Sequence, residues 1–181
     1  MEPGRRQIRN RSRIDFLPNV HDQLSCGANI RLLTVIDVYS RECLAIEVGS
    51  RLRGEDVARV LNLLVYLRGA PQALFADNGA EFTGQIVDLW AYHHKVKMDF
   101  SRPGTPTDNA HIESFNGSLR DECLNINWFA SLAEAKRLIE AWRRDYNESR
   151  PHMTHNGQSP AEFARNVGLC HVGKVKIAAG F

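Results

Sequence analysis

Asp77 and Glu113 have 35 residues between them, the first inside Ala76-Asp77-Asn78-Gly79-Ala80-Glu81-Phe82 and the second inside Asn109-Ala110-His111-Ile112-Glu113-Ser114-Phe115-Asn116-Gly117. Two acids, one at an expected strand end and one on an expected helix, can share divalent cations and cut or join phosphodiester bonds. Carboxylates suit that task better than imidazoles or thiolates, because Mg²⁺ is small and hard, prefers oxygen and keeps several of its waters. Cys26, Cys43, Cys123 and Cys170 are scattered with no C-x-x-C pair, which argues against a zinc ribbon or dithiol motif and for reduced, structural thiols. His152-x-x-His155 has partial metal spacing but no cysteine pair to complete a zinc site.

The elements that must position the two acids follow from periodicity. Residues 31–38 and 43–48 are rich in aliphatic and β-branched side chains and flank Tyr39-Ser40-Arg41-Glu42, the pattern of two neighbouring antiparallel strands. Val57, Val60, Leu61 and Leu64 recur at helical spacing over 55–67, and Gly69-Ala70-Pro71 stops the run. Residues 73–76 form a short buried strand with Asp77 at its carboxyl end, and Asn78-Gly79 turns the chain there. A helix over 84–93 carries Ile86, Leu89 and Trp90, and a strand over 96–100 leads to a loop with Pro103 and Pro106. Asp108 or Asn109 caps a helix whose apolar stripe is Ile112, Phe115 and Leu119, with Glu113 beside it at the margin of the core. The last helix begins at Ser131, with Glu134 completing a capping box, and runs through Ile139, Trp142 and Tyr146. Trp90, Trp128 and Trp142 read as core anchors, with base stacking by an exposed Trp128-Phe129 the alternative. Strands followed by alternating helices and strands, then helices, make an α/β layered fold around a mixed sheet.

With 181 residues, 43% hydrophobic and 24% charged, the chain suits one globular domain. The formal net charge is +2, but five arginines and one glutamate lie in residues 1–13, leaving 18 of the 23 basic and 20 of the 21 acidic residues for the rest. The expected organisation is a basic, disordered arm over 1–13, a catalytic core over 14–166 and a loosely ordered tail over 167–181. No apolar run is long enough to cross a bilayer and the arginine-rich start lacks a signal peptide's apolar segment, so a cytoplasmic location is expected.

Asp77-Asn78-Gly79-x-Glu81-Phe82, then Pro103-Gly-x-Pro-x-x-Asn109-Ala-x-Ile-Glu113-Ser-Phe-Asn-Gly, resembles the integrase-type catalytic core of bacterial insertion-sequence transposases. Arg120-Asp-Glu-Cys-Leu-Asn125, Trp142-Arg-x-Asp-Tyr-Asn147, Arg150-Pro-His152 and Ser159-Pro-Ala-Glu-Phe163 extend the likeness over roughly residues 20–165. It is similar to the group made from two overlapping reading frames, in the second-frame product. The resemblance implies a ribonuclease H-like fold, a mixed five-stranded sheet flanked by helices. The implied activity is DNA strand cleavage and strand transfer at mobile-element ends, using two Mg²⁺ or Mn²⁺ ions. The implied partners are element-end and target DNA, a homo-oligomeric synaptic complex, and a partner chain supplying the helix-turn-helix region, since little precedes the core here and the chain reads as a fragment. A degenerate fragment that only binds DNA or a partner transposase is the alternative, and a nuclease for RNA–DNA hybrids a third reading.

By the resemblance Asp77 and Glu113 are the second and third members of an Asp-Asp-Glu triad, with Asn78, Asn109, Asn116 and Arg120 as DNA contacts. The first acid is expected at Asp15, in Ile14-Asp15-Phe16-Leu17; Asp22 and Asp37 are the other acids nearby, and a chain without a working first ligand is the remaining case. The likeness is interrupted between Leu17 and Val20, by a three-residue insertion or a divergent start. Pro18 there lacks an amide donor and is ill-suited to the interior of a central strand.

Overall fold

Residues 13–76, 85–100 and 110–168 are described by a computed structural model. Strands β1 (Arg13–Gln23), β2 (Asn29–Asp37) and β3 (Cys43–Gly49) lead into helix α1 (Gly54–Arg68), then β4 (Ala73–Ala76), α2 (Gln85–His94) and β5 (Lys97–Phe100). Helix α3 (Ala110–Leu119) passes into a π-helical turn (Arg120–Leu124), followed by α4 (Leu132–Ser149) and α5 (Pro160–Asn166). The sheet order is β3-β2-β1-β4-β5. β1, β2 and β3 pair antiparallel, whereas β4 and β5 run parallel to β1, so the sheet is mixed as its element order requires.

β2 lacks the polar alternation of a half-exposed strand because both of its faces are covered. Leu33 and Val35 pack with Val57, Leu61, Leu64, Val87 and Trp90 of α1 and α2. Ile30, Leu32 and Ile36 pack instead with Ile112, Phe115 and Leu119 of α3 and with Ile139 of α4. The result is three layers with a core on each side of the sheet.

Helix ends follow local chemistry. Asp56 Oδ2 accepts from the Arg53 amide at 3.0 Å at the start of α1, and Gly69, at φ 84°, donates its N–H to the Val65 carbonyl where the helix stops. Ser131 caps α4 by accepting from the Glu134 amide at 3.2 Å. The Glu134 carboxylate returns to the amide of Ala130 (2.8 Å), one residue earlier than a capping box requires.

Several expectations are corrected. Ser131 does not open the last helix: Ser159, accepting from Glu162 N at 3.3 Å, caps α5, and Pro160 occupies its first turn. In α2 the buried residues are Val87, Trp90 and Ala91, while Leu89 is exposed. Trp128 is 86% exposed and is no core anchor; its neighbour Phe129 takes that role at 1%.

Pro18 is accommodated by a bulge. Leu17 pairs with Thr34 and Val20 with Leu32, so Pro18 and Asn19 together span the single step of Leu33. Among the described residues, the last β1–β4 register pair is Phe16–Ala76. The missing amide therefore falls where the β1–β2 ladder is already broken.

Candidate active site

Among the residues singled out for chemistry, Asp77, Asn78 and Asn109 lie outside the described residues, and Asp15 is described through its backbone alone. Asp15 is the register partner of Ile36 on β2 and Phe75 on β4, and the next pair, Phe16 with Ala76, brings β1 to the residue before Asp77. In a parallel pair, the central strand and the carboxyl end of its neighbour are thus brought within one strand spacing, about 4.8 Å.

Two hydrogen bonds fix how α3 lies on this edge. Thr34 Oγ1 donates to Asn116 Oδ1 at 3.1 Å, and Thr34 is the partner of Leu17. Further along, Arg120 Nη2 donates to the His21 carbonyl at 3.3 Å. The helix therefore runs alongside β1 in the same direction. Glu113 precedes Asn116 by three residues, about 4.5 Å along the axis, which brings it level with the Asp15–Phe16 segment and the end of β4. Glu113, Asn116 and Arg120 share one flank of α3, because residues three and seven apart return to the same side. Glu113 is exposed and, among the described residues, forms no ion pair.

The other nearby acids have different positions. Asp37 is buried and accepts from the amides of Tyr39 (2.8 Å) and Ser40 (3.3 Å), holding the β2–β3 turn. Burial raises its pKa, opposed by those two N–H donors and by Arg68. Asp22 pairs in register with Ile30, five ladder steps past the Phe16–Val35 pair once the bulge is counted, and so about 16 Å from the end of β4. Thr34, wholly buried among apolar neighbours, is the supporting residue missed in the sequence, where it read as one more β-branched strand residue. A hydroxyl at an inward strand position is a signal that a polar partner waits above it.

Residues 10–106 match the Integrase core domain family and residues 94–160 match a second family of the same description. The chain belongs to the integrase core domain family. Over 151 residues this integrase core is 48% identical to the insertion element IS407 uncharacterized 31.7 kDa protein of Burkholderia multivorans, covering 83% of this chain and 53% of the relative. Transposase InsF for insertion sequence IS3A of Escherichia coli is 27% identical over 135 residues, 73% of this chain and 47% of its own length. The chain thus spans about half the length of these relatives. A solved HTLV-2 integrase catalytic core domain, in complex with magnesium, superposes with a TM-score of 0.60 at 13% identity, covering 82% of this chain and 93% of that one. The integrase core here has that ribonuclease H-like fold. No helix among its described residues is long and apolar enough to cross a membrane.

The carboxyl-terminal part of the integrase core locks onto the β2–β3 turn through histidines. The His155 ring stacks on Phe163 at 3.9 Å, and its Nε2 faces the Tyr39 carbonyl at 3.3 Å. Burial lowers the pKa of His155, aided by Arg41 and opposed by that carbonyl; burial, His155, Arg150 and Arg41 lower that of His152. The folded protein thus disfavours the protonated form of both rings, whereas the unfolded chain takes up protons below about pH 6.5. Stability is expected to be full above that pH and to fall as pH drops through the lowered folded values. In thermal melts from pH 7.5 to 5.5, His155→Phe should lose less of its melting temperature than wild type. An unchanged slope in this variant would assign the acid sensitivity elsewhere.

Proposed function

We propose that the chain is the catalytic core of an insertion-sequence transposase, a DDE-type polynucleotidyl transferase that cleaves and joins DNA at mobile-element ends. Asp15, Asp77 and Glu113 would hold two Mg²⁺ or Mn²⁺ ions. The donor set fits such ions: all three groups are carboxylates, and the exposed Glu113 is committed to no cation among the described residues. The observation that supports the reading is the seating of α3 along β1 by Thr34–Asn116 and His21–Arg120, beside the Asp15–Phe16 segment that pairs with Phe75–Ala76 of β4.

When bound, such ions would activate the attacking water or 3′-hydroxyl and stabilise the leaving oxygen. The protein's own part is to hold three carboxylates on rigid elements, and to keep them ionised once cations offset their mutual repulsion. Asn116, with its oxygen engaged by Thr34, directs its N–H donors to phosphate oxygens; Arg120, one turn on, offers a guanidinium to the same strand. Asn78 and Asn109 are assigned DNA contacts on the resemblance alone. Joining two element ends requires two such cores, hence a homo-oligomer, with sequence-specific recognition supplied by a helix-turn-helix region outside this chain.

The test is an oligonucleotide assay with element-end DNA in Mn²⁺. Wild type is expected to nick and transfer strands, Asp15→Asn to fall to background, and Asp22→Asn to stay within roughly threefold of wild type, since Asp22 lies five ladder steps from the end of β4. Wild-type binding of DNA without any metal-dependent product would select the degenerate fragment. Hybrid cleavage without strand transfer would select the nuclease.

A further inference from the structure

Helix α3 carries a second polar flank. Ile112, Phe115 and Leu119 face the sheet, Glu113, Asn116 and Arg120 lie to one side of them, and His111, Ser114 and Ser118 lie to the other. Above that other flank is a cavity of about 240 Å³, walled by α3, by Arg41 of the β2–β3 turn, by Tyr146 of α4, and by Arg150, His152 and Thr154 after it. No acidic residue lines it among the described residues. Glu122, outside the lining, bonds Arg150 and also accepts from Trp142 Nε1 at 3.3 Å.

We infer that this cavity is a phosphate pocket that seats a DNA backbone phosphodiester away from the scissile bond, on the side of α3 opposite Glu113. Four observations support it. Arg41 and Arg150 bring permanent positive charge, and Ser114, Ser118 and Thr154 add hydroxyl donors, the set that recognises phosphate oxygens. His152 Nε2 is buried with no hydrogen-bond partner among the described residues, so one ring nitrogen awaits a partner. Arg41 has φ 59°, a left-handed backbone that asparagine or glycine adopts more readily, so a long cationic side chain is kept at a conformational cost. The volume suffices for a phosphodiester with bridging water, one water occupying about 30 Å³.

The electrostatics agree. The charge of Arg41 lowers the pKa of His152 and opposes the burial that raises that of Tyr146, and Arg150 acts on both in the same sense. An anion in the cavity would interact favourably with the positive potential that both guanidinium groups place there. A diester is favoured over a free phosphate because the cavity is open along the exposed Ser114 and Thr154, which leaves room for a chain to enter and leave. The inference rests on the DNA reading above but not on catalysis. With a helix about 10 Å across, a phosphate held here lies one or two nucleotides from a strand engaged at Glu113, and the two contacts would clamp DNA over the start of α3.

Thr154 is exposed on a 3-10 turn, so its substitution spares the core. Binding of a labelled duplex is measured by fluorescence anisotropy without divalent metal, across a KCl series. Thr154→Glu should weaken binding roughly tenfold and reduce the salt slope by about one, and Thr154→Lys should tighten it. Gln85→Glu, the same charge change on exposed α2, should stay within about twofold. In parallel, inorganic phosphate should shift the ¹⁵N-imidazole resonances of His152 in wild type and not in Thr154→Glu. Equal weakening by Thr154→Glu and Gln85→Glu overturns the pocket. A phosphate-induced His152 shift with unchanged duplex affinity in Thr154→Glu makes it a free-phosphate site and overturns the DNA assignment. Pocket-dependent duplex binding in a protein that yields no strand transfer upholds the pocket while the catalytic reading falls.

Discussion

Glu113→Gln and Asp77→Asn are each expected to reduce Mn²⁺-supported strand transfer by on the order of 10³-fold, since losing one anionic ligand forfeits several kcal/mol of transition-state charge stabilisation. Both substitutions keep side-chain size and polarity and remove only the charge. Glu113 is exposed in the first turn of α3 and pairs with no cation among the described residues, so its loss should cost metal-free stability no more than the helix-dipole contribution, about 1 kcal/mol. The two readouts separate chemistry from folding. Wild type should gain melting temperature on adding Mn²⁺ by the linkage expected of a ligand that binds only the folded state, and Glu113→Gln should gain much less. Strand transfer of equal yield in wild type and both variants would remove the enzymatic reading, whereas a parallel loss of stability would mean that Glu113 supports the fold.

The largest expected effect on stability is at Asn147, a buried residue of α4. Its Oδ1 accepts from the Cys43 amide at 2.8 Å and its Nδ2 donates to the Cys43 carbonyl at 2.9 Å. A side-chain carboxamide thereby takes the place of a neighbouring strand at the first residue of β3. The need arises from register: Val35 pairs with Ala45 and Ile36 with Cys43, so Leu44 is an extra residue and the ladder is interrupted there. Asn147→Leu fills the same space but strands the Cys43 amide, while the carbonyl keeps its 2.7 Å bond from Arg143. One buried unsatisfied group costs about 1–3 kcal/mol, and the hydrogen bonds lost with it about 1 kcal/mol each. A loss of roughly 3 kcal/mol is expected, read as a lower urea midpoint at unchanged m-value. A loss under about 1 kcal/mol would mean that packing of α4, through Ala135, Ile139 and Tyr146, holds β3 without the carboxamide.

These two residues also differ in how they could be read. Glu113 was legible as a candidate ligand because an acid beside an apolar helical stripe, paired with another acid at an expected strand end, is a pattern within short windows. Asn147 was legible only as part of a matching motif, since its partner is over a hundred residues away. Thr34 and Asn116 show the same limit: Thr34 read as an ordinary strand residue and Asn116 as a DNA contact, and the bond between them appears only when α3 is laid on the sheet.

The sequence by itself determined the elements whose cause is local. The apolar spacing of α1 and α3, the Ser131 cap of α4 and the two-faced hydrophobicity of β2 are statements about neighbours three or four residues away, or alternate residues, and the chain carries them wherever it goes. What only the tertiary structure decided is what depends on distant partners. A bulge against β2 takes up Pro18, with Pro18 and Asn19 opposite the single residue Leu33. Trp128 faces solvent while Phe129 turns inward. Arg41, His111 and Arg150, from three separate elements, meet around one cavity. Periodicity says which face of an element is apolar, but the identity of the element covering that face, and the polar groups it brings, follow from the packing of the whole chain.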